Sequence, residues 1–307
     1  MLLRWMILFG LLTPLMGCQT FHHPSIPANC CPNLPKIETI VHKTSMFNRI
    51  DAAGNMNLRL HTGARQAWIS LHGDARDIEN VVWTVQRRTI IIRFAGGAPS
   101  YGPVDIGLGI PHLHAITYRG SGEIMGRRMS SGQLDFNISN DGVTNLEGRM
   151  NLHRAVFRGD GRALIKTGRN HDLNLVLKDD VRVKIEGTSE LRTLQMSGNS
   201  CLSLTRVKAE TMRVMMQGSA NARLAGTAQL ALVNLRGHAN LNARYLLATE
   251  AYVRTTDRAT ASIAVVQTQH TLAGGQSTIY YYKTPTYKTD FMAENGTILD
   301  MGTLGKN

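Results

Sequence analysis

The sequence is poor in the residues that carry chemistry. It holds four cysteines in 307 residues, Cys18, Cys30, Cys31 and Cys201. They form no CxxC pair and no His/Cys zinc spacing, so no metal–thiolate centre and no cofactor is expected. Eleven histidines supply neither an HExxH motif nor a Ser–His–Asp signature, which leaves those two hydrolytic chemistries without a carrier. After residue 17 no second long apolar run occurs, so neither a membrane-spanning helix nor a membrane barrel is expected. Acidic residues are few: 22 Asp and Glu stand against 34 Lys and Arg, a net charge of +12. Without residues 1–17, whose one charged side chain is Arg4, +11 remains. Such a surface favours anionic partners.

What the sequence has is a repeat. From about Ile116 to Tyr282 an apolar–any–apolar–any–turn pattern recurs nine times. The copies are Ile116/Tyr118/Gly120, Phe136/Ile138/Asn140, Ala155/Phe157/Gly159, Leu175/Leu177/Asp179, Leu194/Met196/Gly198, Val214/Met216/Gly218, Val233/Leu235/Gly237, Ala251/Val253/Thr255 and a weak His270/Leu272/Gly274. A fixed period near 20 marks a solenoid. Alternation means strands with one buried face. A second strand follows each turn, as in Val183/Ile185 and Leu202/Leu204, and a third apolar mark precedes it, as in Leu173, Leu191 and Leu230. Three short strands per period leave no room for a helix. The fold class expected is all-β, a parallel β-helix of about nine coils with irregular β caps. The competing reading is an antiparallel meander or sandwich, whose hairpin turns would not keep one fixed phase. Gly, Asn and Asp at the turn predict a left-handed backbone there.

Residues 1–17 read as an export signal: Arg4, then the apolar Trp5 to Met16, then Leu15-Met16-Gly17-Cys18, similar to a bacterial lipobox. Cys18 is then the lipidated residue and the acyl chains anchor the protein. An ordinary signal peptide with a chance cysteine is the alternative. Gln19 after the cysteine points to the outer membrane, with the domain facing periplasm or cell surface. Residues 18–45, with Pro24, Pro27, Pro32 and Pro35, read as a Pro-rich tether. Residues 46–112 read as an N-terminal β cap with irregular coils, including a hairpin around Arg87-Arg88. Residues 113–285 are the regular coils and 286–307 a C-terminal strand or tail. Tyr280, Tyr281, Tyr282 and Tyr287 are expected to cover the last apolar layer, with sugar stacking as the alternative.

Phe47-Asn-Arg-Ile, Pro111-His-Leu-His-Ala-Ile-Thr-Tyr-Arg-Gly-Ser-Gly-Glu-Ile and Ser277-Thr-Ile-Tyr-Tyr-Tyr-Lys-Thr-Pro resemble the head GIN family of auto-transporter adhesin head domains over roughly residues 45–285. The resemblance implies a right-handed parallel β-helix on an exported bacterial protein, often a lipoprotein. It supplies no catalytic residues. Asp179-Asp180-Val181 departs from the family's Gly-Ser-Gly corner.

The period sorts charges into columns. Arg119, Arg158, Lys178, Arg236 and Arg254 precede the turn; Arg162, Arg182, Lys184 and Arg223 follow it. They are either a solvated outer face that guards strand edges or an anion-binding strip. Asp141, Asp160 and Asp180 fall on consecutive rungs one place past the turn. They form either a turn-forming ladder neutralised by the basic column or a calcium ladder, although no nonapeptide calcium repeat is present. The function expected is a non-enzymatic, lipid-anchored envelope module that binds or scaffolds, toward anionic glycan, lipopolysaccharide, anionic lipid or an envelope protein. The export signal argues against nucleic acid. The alternative is a lyase or hydrolase acting on polysaccharide, which requires paired carboxylates or a base with a metal.

Overall fold

A computed structural model describes residues 36–302. Residues 1–17, the stretch read as an export signal, lie outside the described residues, as do Cys18, Cys30 and Cys31. The chain begins with β1 (Ile37–Lys43), β2 (Arg49–Ala53), β3 (Asn57–Thr62), β4 (Trp68–Asp74) and the short α1 (Ala75–Ile78). β5 (Val81–Gln86), β6 (Thr89–Phe94), β7 (Asp105–Ile110) and β8 (Ala115–Gly120) follow. Then come eight long strands: β9 (Ile124–Asn140), β10 (Val143–Arg158), β11 (Arg162–Leu177), β12 (Arg182–Met196), β13 (Cys201–Met216), β14 (Asn221–Leu235), β15 (Asn240–Thr255) and β16 (Thr260–Ala273). β17 (Thr278–Tyr282), β18 (Tyr287–Met292) and β19 (Thr297–Asp300) complete the array.

These strands build a parallel β-solenoid of about ten turns. Each long strand is one coil, bent where its pairing register shifts, as between Glu147 and Arg154 in β10. Residues before the corner form one wall and residues after it a second. On the first wall β2 pairs in parallel with β6 and β8, and β8 pairs with the end of β9. On the second, β3 pairs in parallel with β7 and the start of β9. Both walls end in antiparallel strands at the N-terminal side, β5 on β6 and β4 on β7 with β1 beyond it. Breaking the parallel order there closes an edge on which further chains would otherwise stack. The hairpin expected at Arg87-Arg88 is present, and both residues have positive φ, 48° and 61°, as a two-residue hairpin turn requires. β1 occupies the last part of the stretch expected to be a tether, so Ile37–Lys43 is corrected to a strand of the cap.

The expected core is buried: Leu175, Leu177, Leu194, Met196, Leu204, Val214 and Leu235 all point inward. Leu230 does not reach the interior; Ala228 and Ala231 take that side of its coil. The central column thins along the stack. Phe136 and Phe157 meet edge-on at 6.2 Å, and further along the stack the Phe157 position is held by Leu235, Thr255 and Ala273.

The eighth and ninth copies sit elsewhere than the pattern placed them. Val253 pairs with Val233 and Thr255 with Leu235, so the eighth corner is Asp257, not Thr255. In the ninth coil Gln269, Thr271 and Ala273 face inward, while His270 and Leu272 face out. A one-residue slip in a strand exchanges its two faces, and here the inward residues are polar, so alternation of apolar residues selected the wrong set.

The left-handed corner holds from the third regular turn onward. Gly159, Asp179, Gly198, Gly218, Gly237, Asp257 and Gly275 have φ between 63° and 93°. Gly120 and Asn140 do not need it. Asn140 is buried and bridges its turn instead, donating to the Gly122 carbonyl and accepting from the Gly142 amide. The irregular Asp179 and Asp257 serve the same stack: their carboxylates accept the amide of the corner one rung below, Gly159 and Gly237.

The C-terminal segment is a further coil. Tyr281 is buried and caps as expected, with its hydroxyl 2.7 Å from the Lys288 ammonium. Tyr287 instead stands on the outer surface, 58% exposed. Asp290 lies in register with inward Thr271 and accepts its hydroxyl hydrogen bond. The inward positions Gln269, Thr271 and Ala273 are followed on β18 by Lys288, Asp290 and Met292, so two of the three end in charged groups.

Candidate functional site

Side chains on the outer side of the first wall repeat every second residue along a strand, and the parallel register lines them up from rung to rung. Three outward columns result. One runs Thr193, Arg213, Leu232, Tyr252, His270. The next runs Gln195, Met215, Asn234, Arg254, Leu272, Phe291. The third lies one residue beyond the paired strand ends and contains Lys178, Ser197, Gln217 and Arg236.

The sequence-predicted basic residues divide between the two walls. Arg119, Arg158, Lys178 and Arg236 share the corner column of the first wall. Arg119 is held at 3.3 Å by Asp51, and Arg158 donates to Asn137 at 2.9 Å. Arg254 does not belong to this column; the two-residue slip moves it beside Asn234. Arg162, Arg182, Lys184 and Arg223 stand on the second wall, where Arg162 and Arg182 are direct register partners and Lys184 is paired with Glu186 at 2.7 Å. Among the described residues, no carboxylate lies within salt-bridge distance of Lys178, Arg213, Arg236 or Arg254, nor of Arg162, Arg182 or Arg223.

The walls differ in shape. The first carries two adjoining grooves that share Met215 and Asn234. One, of about 470 Å³, is lined by Lys178, Gln195, Gln217 and Arg236; the other, of about 540 Å³, by Arg213, Leu232, Tyr252, Arg254, Leu272 and Phe291. Aromatic side chains stand along the second groove. Tyr252 and His270 stack at 4.7 Å with planes 18° apart, and His270 meets Tyr287 edge-on at 5.8 Å. Sequence reading missed this strip because the slipped register put His270 indoors. Aligning Asp257 with Asp179 as corner residues would have found it.

Of the ladder Asp141, Asp160 and Asp180, the Asp141 carboxylate works on the backbone. Asp141 accepts the Asp160 amide at 3.1 Å. Among the described residues no group of three or more His, Cys, Asp or Glu is placed to share a metal ion. Cys201 is half-buried beside Arg182 in the register and has no disulfide partner among the described residues.

A wider hollow of about 920 Å³ lies on the remaining side of the coil and carries mixed charges. Glu190 is bound there by Arg169 at 2.7 Å and by His171 at 3.1 Å, and Arg192 pairs with Asp172 at 3.3 Å. The Arg169 hydrogen bond, followed by that of His171, holds the Glu190 carboxyl below its ordinary range. A general acid at neutral pH needs the opposite shift. Asp74, Glu186 and Asp300 are also shifted downward.

A family model described as "Putative auto-transporter adhesin, head GIN domain" matches residues 46–285. No curated protein matches the chain. Among solved structures, a "putative adhesin" from Parabacteroides merdae is 15% identical over 87% of this chain and 96% of its own, with a TM-score of 0.48. A "putative adhesin" from Parabacteroides distasonis is 13% identical over 88% and 98%, with a TM-score of 0.46. A "putative lipid binding protein" from the same species is 15% identical over 88% and 97%, with a TM-score of 0.44.

Proposed function

The chain belongs to the head GIN domain family, and from that premise we propose that it is a non-enzymatic, adhesin-like binding module of the bacterial cell envelope. Cys18 anchors it in the outer membrane through acyl chains, and the solenoid binds anionic glycan or anionic lipid on its first wall. One observation carries this reading: a grooved wall with four cations, Lys178, Arg213, Arg236 and Arg254, that no carboxylate of the described residues neutralises. Unpaired cations on a stable sheet attract anions and select them by salt-dependent contact. The carboxylates with downward-shifted pKa argue against acid-catalysed glycan hydrolysis at those positions, and the Asp141, Asp179 and Asp257 carboxylates are engaged with backbone amides.

The test has two parts. Purified protein is passed over immobilised acidic polysaccharide and over vesicles containing phosphatidylglycerol. Retention that falls as salt rises, with no reducing ends or unsaturated sugars released, is expected; no retention on either surface, or product release, contradicts the reading. Separately, Cys18→Ala is expected to move the mature protein from the membrane to the soluble fraction. Unchanged membrane fractionation would remove the anchor.

A further inference from the structure

Five successive rungs of the first wall follow one rule. β13 presents Arg213 with Met215, β14 Leu232 with Asn234, β15 Tyr252 with Arg254, β16 His270 with Leu272, and β18 Thr289 with Phe291. Each rung offers one apolar or aromatic side chain and one that can hydrogen-bond. The rungs are about 4.8 Å apart, so the pattern extends roughly 19 Å along the solenoid axis. The side also changes along the axis: the hydrogen-bonding residue stands in the first column at Arg213, in the second at Asn234 and Arg254, and in the first again at His270 and Thr289. A membrane-docking surface would instead gather its apolar side chains into one continuous face with cations around it.

In a chain with 6% aromatic residues, Tyr252, Tyr287 and Phe291 are all conspicuously exposed here, at 45%, 58% and 63%. Arg213 and Arg254 border the same groove of about 540 Å³ without a carboxylate partner among the described residues. The groove lies at the far end of the stack from β1, where the described chain enters.

From this arrangement we infer that the groove from Arg213 to Phe291 is a docking site for an extended acidic polysaccharide lying along the solenoid axis. The inference rests on the binding-module reading and names its ligand. A sugar ring has an apolar C–H face and a polar rim, and a polysaccharide repeats both along its length, as this wall does. Leu232, Phe291 and the exposed part of Tyr252 that its stack on His270 leaves free take the C–H faces. Asn234 and Thr289 take hydroxyls. Arg213 and Arg254 take carboxylates or sulfates, the groups that a guanidinium binds with two parallel hydrogen bonds.

The experiment measures binding of the full chain to three probes: a polygalacturonate oligomer, its methyl-esterified neutral form, and phosphatidylglycerol vesicles. Wild type is compared with Tyr252→Ala and with Arg213→Ser/Arg254→Ser, each checked for an unchanged melting curve. Both variants are expected to lose about tenfold or more in affinity for the acidic oligomer, the scale of one central contact. Wild type is expected to bind the esterified oligomer more weakly than the acidic one. Full affinity in Tyr252→Ala alongside a loss in the arginine pair would reduce binding to charge alone and overturn the inference, while the binding-module reading stands. Losses confined to the vesicles would also overturn it in favour of a lipid surface. Failure of wild type to bind any probe would overturn both.

Discussion

At the scale of the residue, the corners set the fold's tolerance. Gly218 has φ 76°, and a Cβ placed on it would lie 2.8 Å from the Gly198 carbonyl oxygen one rung away. Strain and contact act together there, so Gly218→Ala should destabilise by about 1–3 kcal/mol. Gly132 has an ordinary φ and open space around its Cβ position; Gly132→Ala should stay within about 0.5 kcal/mol of wild type in urea unfolding. Similar losses at both sites would mean that corner geometry is not what stacks the coils. A second residue governs acid behaviour at the cap. The Asp74 carboxylate is held at about 2, from an ordinary 3.8, first by the Arg76 side chain and also by the amides of Arg76 and Lys36. Its folded value lies below the unfolded one, so its contribution is complete above about pH 4 and disappears as pH falls toward 2. Asp74→Asn should flatten the fall in melting temperature across that window. An unchanged acid limb would show that Asp74 does not tie β1 to α1.

At the scale of the element, alternation decides what each coil can absorb. Leu177 is fully buried and Val176, its neighbour, faces out. Leu177→Asp puts an unpaired carboxylate among stacked side chains, which costs several kcal/mol and should melt adjoining coils together. Val176→Asp should fold with little change; equal damage from both would contradict the register. The sequence showed this register clearly wherever inward residues were apolar, from Phe136 through Leu235, and the turn residues fixed its phase. Legibility failed in the last coils for a physical reason: Gln269, Thr271 and Thr255 are inward and polar, so hydrophobic periodicity had nothing to follow. Arg213 of the candidate face was not singled out in the sequence, whereas Lys178, Arg236 and Arg254 were visible there, Lys178 and Arg236 in their true column. Their aromatic neighbours were not, because Tyr252 and His270 become adjacent only through pairing across rungs.

At the scale of the whole molecule, the two ends and the two walls have different jobs. The first wall finishes on β18, where Asp290 and Lys288 are held by Thr271 and Tyr281. Charged groups at the end of an interior column make a poor platform for another coil. Replacing both, as Lys288→Leu/Asp290→Leu, should raise self-association in sedimentation velocity, and a variant as monodisperse as wild type would deny the end its blocking role. On the proposed function, the groove of the first wall, rather than the net positive charge, selects the anionic partner. Two variants test it by removing the same amount of charge. One replaces Lys178, Arg213, Arg236 and Arg254 by serine, the other Arg162, Arg182, Lys184 and Arg223. The measurement is the dissociation constant of each for an acidic polysaccharide at physiological salt, where long-range attraction is screened beyond about 8 Å. The first variant should bind at least about tenfold more weakly than the second, which should stay close to wild type; equal weakening in the two would contradict the account.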